Sequence, residues 1–212
     1  MKRYIFLFLS FLYIFPSVVS GQARWNQGYQ AYIDQYKDIA IEGMLKYGVP
    51  ASITLAQGLL ESGAGQSRLV LLGNNHFGIK CHGWKGRTIS HDDDARGECF
   101  RAYKSALESY EDHCKFLCDR PRYRSLFSLA RTDYRGWAYG LKRAGYATNP
   151  VYAQSLINLI ELYKLYEYDK AKSYDRFMVH HSGENSVIQD GVKGRPTPVQ
   201  ILGAHPINKY NE

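Results

Sequence analysis

The chain has 212 residues, of which 45% are hydrophobic and 22% are charged. This composition is typical of globular proteins, so it excludes disorder throughout and leaves room for one domain with short extensions. The 27 basic residues outnumber the 20 acidic ones, a formal charge of +7. That excess favours an anionic partner such as a nucleic acid, a membrane surface or a cell-wall polymer.

The first 20 residues have the pattern of a secretory signal peptide. Lys2 and Arg3 precede an apolar run over residues 4–15, and Pro16 and small residues follow it up to Gly21. The run is shorter than the roughly 20 apolar residues that cross a bilayer, and no cysteine follows closely as a lipid acceptor. We therefore expect cleavage near Ser20, no stable membrane anchor, and export to the periplasm, the cell surface or the medium. Loss of Lys2 and Arg3 lowers the charge from +7 to +5.

Two helices are predicted next. Apolar residues recur at steps of three and four from Tyr29 onward, which predicts an amphipathic helix ending at Gly48. Pro50 suits the first turn of a second helix, which should end at Gly63. Glu61 lies in the last turn of this second helix. There the helix dipole and a leucine-rich face disfavour the charged form of a carboxylate, although an ordinary solvated glutamate is equally compatible with the pattern.

Residues 74–103 differ in character and predict a small β lobe. Short strands are expected over residues 77–80, 83–86 and 98–101. Cys81 and Cys99 flank this segment, and in an exported protein we favour a disulfide between them, worth about 3 kcal/mol in the chain-entropy model. Cys114 and Cys118 stand four apart on one predicted helix, a spacing that seldom gives good disulfide geometry. Their state is left open, with free thiols favoured.

Helices resume after the β lobe. Ser105 and Glu108 form a capping box that opens a helix running to about Asp119. Three further helices are predicted over residues 124–130, 133–144 and 149–168. The periodicity then fades into a segment rich in glycine and proline, so residues 169–212 are predicted to be a flexible linker or tail. The predicted architecture is one helical domain with a β-hairpin lobe.

Several kinds of chemistry find no support in the sequence. His76, His82, His91 and His113 surround the β lobe without the spacing of a metal site, so no metal is expected. Cys81 beside His82 does not suggest a cysteine peptidase, because the catalytic partners in such enzymes are normally distant in sequence. No glycine-rich turn connects a strand to a helix, so no nucleotide cofactor is expected.

Four carboxylates remain as candidates for catalytic chemistry. Glu61 ends a helix directly before the β lobe, and Asp92, Asp93 and Asp94 lie within it. A cleft between the helices and the hairpin could therefore face one carboxylic acid with another. Glycoside hydrolysis uses such an arrangement, with one group protonating the leaving oxygen and another activating water or supporting the transition state. A calcium-like or merely solvated turn is the alternative for the aspartate run.

Several ordered motifs resemble a known family. Residues 55–67 (LAQGLLESGAGQS) and 74–80 (NNHFGIK) are followed by residues 100–103 (FRAY), 108–113 (ESYEDH) and 145–153 (GYATNPVYA). Together they resemble the mannosyl-glycoprotein endo-β-N-acetylglucosaminidase-like family of bacterial peptidoglycan hydrolases, over residues 28–168. The resemblance implies a mainly α (α+β), lysozyme-like fold whose helical domain and small β-hairpin lobe flank a catalytic cleft. It also implies a monomer that acts on peptidoglycan glycan strands and binds no nucleic acid.

The resemblance further implies roles for individual residues. Glu61 matches the catalytic acid for cutting between N-acetylglucosamine and N-acetylmuramic acid on the glucosamine side. The second carboxylate, after the turn at residues 84–86, matches Asp92 most closely, with Asp93, Asp94 and Glu98 as alternatives. Tyr146 matches a tyrosine of the cleft that steadies the transition state or the acetamido group. The predicted glycan-lining wall consists of Asn75, Phe77, Tyr103 and Tyr152.

Other possibilities stay open. A second carboxylate at roughly 6.5–9.5 Å could activate water with inversion, whereas a more distant one would leave the substrate's acetamido group to assist with retention. A non-catalytic wall-binding or assembly protein, a muramidase and a lytic transglycosylase are the alternative functions. Related proteins often carry a LysM module after the catalytic domain, and the last residues here look like the lead-in to one.

Overall fold

The computed structural model describes residues 24–92 and 96–173. The predicted signal peptide, residues 174–212 of the predicted tail, and Asp93 and Asp94 lie outside the described residues. The described elements are helices α1 (Gln27–Tyr47), α2 (Ala51–Ser62), α3 (Arg68–Gly73), α4 (Ala106–Asp119), α5 (Tyr134–Arg143) and α6 (Tyr152–Leu162), strands β1 (Thr88–His91) and β2 (Glu98–Arg101), and 3-10 helices Pro121–Ser128 and Leu165–Lys170. The fold is mainly α with a small β hairpin, as predicted.

Helix α2 is the centre of the fold. Every residue from Ala51 to Leu59 is buried, and the helix packs against α1, α5, α6 and the terminal 3-10 helix. A helix that is largely apolar around its circumference is expected to be surrounded in this way, and α2 also buries the polar side chains of Ser52, Thr54 and Gln57. Its end comes where predicted, because Gly63 adopts the left-handed conformation (φ +56°) that glycine reaches without steric cost. The C-terminal end of α2 is therefore fixed in position by the elements that pack around the helix.

The β lobe pairs differently from the prediction. Strands β1 and β2 are antiparallel, with Thr88 opposite Arg101 and His91 opposite Glu98. The strand predicted at 98–101 is confirmed, but those at 83–86 and 77–80 are wrong. Residues 83–86 lie in the loop before β1. Residues 77–80 contribute a single bridge, from Lys80 to Phe100.

The cysteines follow the prediction. Cys81 and Cys99 form the expected disulfide, which joins the loop before β1 to β2. Cys114 and Cys118 are free thiols, the first buried and the second exposed. Burial raises the pKa of the Cys114 thiol to about 12. Cys114 is therefore a protonated, packed side chain in this fold.

Three features of the helices and of the domain end differ from the prediction. Helix α3 was not predicted, although Ser67 caps it by accepting a hydrogen bond from the Val70 N–H. The last helix breaks at Lys164, whose φ of +53° is left-handed, and continues as a 3-10 helix. Asp169 and Ala171 are buried, so packing extends a few residues past the expected domain boundary at 168. Within residues 24–92 and 96–173, no helix is long and apolar enough to cross a membrane.

Candidate active site

Glu61 lies in the last turn of α2, next to the left-handed Gly63. Its side chain is half-buried, and its Oε1 accepts a hydrogen bond of 3.1 Å from the Tyr152 hydroxyl of α6. The carbonyl end of the helix favours the neutral form of an acid placed there. The tyrosine hydroxyl opposes that effect, because its hydrogen bond is stronger to a carboxylate than to a carboxylic acid. Glu61 is thus joined to α6 through the Tyr152 hydroxyl.

A chain of buried hydrogen bonds continues from Glu61 into the core. The Gln57 side-chain N–H donates to the Tyr152 hydroxyl at 2.9 Å, and the Gln57 Oε1 lies 3.0 Å from the His113 Nε2. Gln57, His113 and Tyr152 are all fully buried. The His113 ring is also stacked on Phe77, with ring centroids 4.0 Å apart. We call the four residues Glu61, Tyr152, Gln57 and His113 the α2 relay.

The sequence did not assign Gln57 or His113 to the site. One signal could have found Gln57: it stands four residues before Glu61, so both side chains lie on one face of α2. A polar side chain on the apolar face of a buried helix needs a hydrogen-bond partner. His113 had no comparable signal, because its contact with Gln57 joins residues 56 positions apart.

Tyr146 lies behind the site. It is fully buried, and its ring is stacked on Tyr152 with centroids 5.7 Å apart and planes 20° apart. Gly145, at φ +74°, ends α5 and turns the chain inward. Lys142 fixes the following loop by donating to the carbonyls of Ala147 and Thr148. Tyr146 thus packs against Tyr152, whose hydroxyl donates to Glu61, and its contact with a ligand stays a prediction.

The four residues of the predicted glycan wall are buried in this structure, so their contact with a glycan stays a prediction. Asn75, Phe77 and Tyr103 are at most 2% exposed. The Asn75 amide is bonded to the backbone of Ile79 and Arg101, and the Tyr103 hydroxyl donates to a carboxylate of α4. These three side chains are packed in the interior. Tyr152 of the predicted wall donates a hydrogen bond to Glu61.

The β lobe offers two described candidates for the second carboxylate. Asp92 is exposed, and its Oδ1 accepts a hydrogen bond of 2.7 Å from the Gly97 N–H across the hairpin turn. Glu98 is half-buried and forms an ion pair of 2.8 Å with Lys80. Asp92 is therefore the more accessible of the two. Among the residues that the structure describes, no group of three or more His, Cys, Asp or Glu side chains could hold a metal ion.

The fold, a helical domain with a small antiparallel β hairpin, defines a class of protein: the lysozyme-like glycoside hydrolase domains. The chain belongs to the mannosyl-glycoprotein endo-β-N-acetylglucosaminidase family, whose model matches residues 37–165. The predicted family is confirmed.

Two relatives illustrate the similarity. The exo-glucosaminidase LytG of Bacillus subtilis is 32% identical over 192 residues, which are 82% of this chain and 66% of LytG. The peptidoglycan hydrolase FlgJ of Salmonella typhimurium is 38% identical over 141 residues, 60% of this chain and 44% of FlgJ. The chain thus spans about two thirds of one relative and less than half of the other.

Solved structures agree with this similarity. The glycoside hydrolase domain of Salmonella typhimurium FlgJ superposes with a TM-score of 0.56 at 30% identity, covering 72% of this chain and 98% of that domain. The catalytic domain of the autolysin Auto from Listeria monocytogenes gives a TM-score of 0.55 at 30% identity, covering 70% of this chain and 91% of that one.

Proposed function

We propose that this protein is a peptidoglycan hydrolase that cleaves the β-1,4 bond from N-acetylglucosamine to N-acetylmuramic acid, with Glu61 as the general acid. The observation that carries the proposal is Glu61 at the end of the buried central helix, with Tyr152 bonded to its Oε1 at 3.1 Å. The family, together with the names of LytG and FlgJ, supports this glycan as substrate. The predicted signal peptide supports action outside the cytoplasm.

The chemical step needs one proton from Glu61. As the bond between C1 of N-acetylglucosamine and the glycosidic oxygen breaks, Glu61 protonates that oxygen, and N-acetylmuramic acid leaves with a free 4-hydroxyl. C1 finally receives a hydroxyl from water, and Glu61 recovers its proton. The new reducing end is N-acetylglucosamine.

The test compares Glu61→Gln with wild type on purified peptidoglycan. New reducing ends are reduced with borohydride and identified by mass spectrometry. We expect N-acetylglucosaminitol from wild type, and a rate lower by about 10²- to 10⁴-fold from Glu61→Gln, because the amide has no acidic proton to give. Glu42→Gln, at an exposed glutamate of α1, is the matched control and should match wild type.

Each other product has a defined meaning. Muramitol ends would identify a muramidase, and anhydromuramic ends a lytic transglycosylase. An absence of new ends from a folded wild-type protein would favour a non-catalytic wall-binding protein. Retained activity in Glu61→Gln would remove Glu61 from the acid role.

We further propose Asp92 as the second carboxylate, because it is the exposed described acid of the β lobe. If Asp92 activates water, the first product has the α configuration, and Asp92→Asn loses most activity. If the acetamido group assists instead, the product is β, and Asp92→Asn retains most activity. Proton NMR of the fresh product separates the two routes.

The name of LytG favours a second candidate, in which the enzyme removes units from strand ends. Products of many lengths at the first time point indicate cutting within strands. Small products of one size from the first time point indicate cutting from the ends.

A further inference from the structure

We propose that Gln57 and His113 are positioning residues that direct the Tyr152 hydroxyl proton toward Glu61. The proposal rests on the proposed function only in taking Glu61 as the acid. Its basis is the α2 relay, in which three hydrogen bonds of 2.9–3.1 Å connect four side chains from α2, α4 and α6.

With the Gln57 amide oriented as in the structure, the chemistry of the groups fixes the direction of every bond. An amide nitrogen can only donate, so the Gln57 N–H places the Tyr152 oxygen in the role of acceptor. The single hydroxyl proton of Tyr152 is then left for Glu61. An amide oxygen can only accept, so the His113 Nε2 must carry a proton. The relay therefore runs from His113 through Gln57 and Tyr152 to Glu61.

This direction depends on which way the Gln57 amide faces. If the amide were reversed, its oxygen would accept a hydrogen bond from the Tyr152 hydroxyl. Glu61 would then face a lone pair of the Tyr152 oxygen. His113 would then accept at Nε2 and carry its proton on Nδ1. The His113 tautomer thus reports the orientation of the amide, and the Phe77 ring stacked on it at 4.0 Å limits rotation of the imidazole.

The relay has a consequence for the acid. The Glu61 Oε1 accepts a hydrogen bond from Tyr152. The Tyr152 hydrogen bond favours the carboxylate, so removing it should make Glu61 hold its proton to higher pH. The alkaline limb of the pH profile of kcat reports that change.

The first experiment measures the tautomer directly, without using activity. Long-range proton–nitrogen NMR of the full chain labelled at histidine, assigned with His113→Asn, should show a neutral His113 protonated on Nε2. A proton on Nδ1 would overturn the proposal. This result is independent of the substrate and of the role of Glu61, so it separates failure of the relay from failure of the proposed function.

The second experiment measures pH profiles. Tyr152→Phe should move the alkaline limb up by about one pH unit, the size of a hydrogen bond to a charged group. Gln57→Glu should move it in the same direction, because an ionised glutamate at 57 attracts the Tyr152 proton away from Glu61. The buried charge of Gln57→Glu could prevent folding. In that case Gln57→Met, which keeps the side-chain volume but cannot hydrogen-bond, tests whether residue 57 controls the position of the alkaline limb.

Matched controls distinguish positioning from packing. Tyr123→Phe removes another buried hydroxyl, one without a hydrogen-bond partner among the described residues. Gln154→Met removes an exposed amide of α6. Both should leave the alkaline limb in place. If Tyr152→Phe and both Gln57 variants lower kcat equally at every pH, with no shift of the limb, the residues only support the fold and the proposal is wrong.

Discussion

Asn75 is a residue of a family motif whose side-chain amide stabilises the fold. Its amide makes three hydrogen bonds to backbone groups of Ile79 and Arg101 while only 1% exposed. We expect Asn75→Ala to lower the free energy of unfolding by about 3 kcal/mol, since three buried backbone groups lose their partner. Urea denaturation measures the change. Asn158→Ala on α6, where the amide is bonded only to an exposed glutamine, should cost less than about 0.5 kcal/mol.

The same variant tests the role predicted from sequence. If Asn75 packs the interior, the folded fraction of Asn75→Ala keeps the wild-type KM for peptidoglycan. A raised KM at unchanged stability would instead return Asn75 to the glycan wall.

At the level of residues, the sequence was informative where a feature follows from a residue's own position. Glu61 was predicted to lie in the last turn of a helix, and it lies in the last turn of α2, while its role as the acid stays a proposal. The wall residues could not be judged in this way, because burial depends on the packing of α4 against the loop at 74–79. Gln57 and His113 could not be paired, since no local pattern connects residues so distant in sequence.

Asp169, in the last described 3-10 helix, caps the start of α2. Pro50 offers no side-chain cap, and the Asp169 carboxylate accepts instead from the Ser52 N–H at 2.9 Å and from its hydroxyl at 2.5 Å. Burial raises the pKa of Asp169 to about 6, above its ordinary 3.8, while the bonds to Ser52 and the charge of Arg131 act in the opposite direction. The terminal 3-10 helix thereby fixes the start of the helix that ends at Glu61.

This raised pKa predicts how stability depends on pH. The folded state holds the Asp169 proton more tightly than the unfolded state, so this contribution is complete below about pH 4 and is lost as the pH rises through about 6. Burial also lowers the pKa of His76 to about 4, so that residue acts in the opposite sense and costs stability as the pH falls below 6.5. The two effects overlap and must be separated by variants.

The measurement is the free energy of unfolding in urea at pH 4, 5, 6 and 7, for wild type and Asp169→Asn. Asparagine keeps an acceptor for Ser52 without titrating. Relative to Asp169→Asn, wild type should lose on the order of 3 kcal/mol between pH 4 and pH 7. A difference that is constant with pH would show that Asp169 titrates alike in both states.

At the level of elements, helix ends were predictable and strand pairing was not. Gly48, Gly63 and Ser105 mark ends by their own backbone or side-chain chemistry, and α1, α2 and α4 begin or end beside them. The strand that pairs with β2 was misplaced because residues 77–80 and 83–86 carry apolar and aromatic side chains that resemble strands. The partner of β2 was instead the more polar segment at 88–91, whose pairing is fixed by long-range contacts.

At the level of the whole molecule, the positive charge is concentrated in one segment. Residues 120–145 contain seven basic side chains and one acidic one, whereas the rest of residues 21–212 contain 18 basic and 19 acidic ones. The segment comprises the 3-10 helix Pro121–Ser128 and α5, which pack together. Arg122, Arg124 and Arg143 form no ion pair with any residue in 24–92 or 96–173. The attraction to anionic wall material predicted from composition is therefore expected to act through this basic segment.

Replacing Arg122, Arg124 and Arg143 together by glutamine should weaken binding to insoluble peptidoglycan by roughly tenfold at low salt, because three unpaired charges face the polymer. The comparison uses a Glu61→Gln background, so that the polymer is not digested during a sedimentation assay. The control replaces Lys104, Lys164 and Lys172, three exposed lysines elsewhere in the described chain, by glutamine. It lowers the net charge by the same three units and should weaken binding to peptidoglycan much less than the arginine replacements do. The difference between the two triple variants should shrink as salt is raised, since ions screen exposed charges. Equal loss in both variants would assign the attraction to net charge alone, without a preferred face.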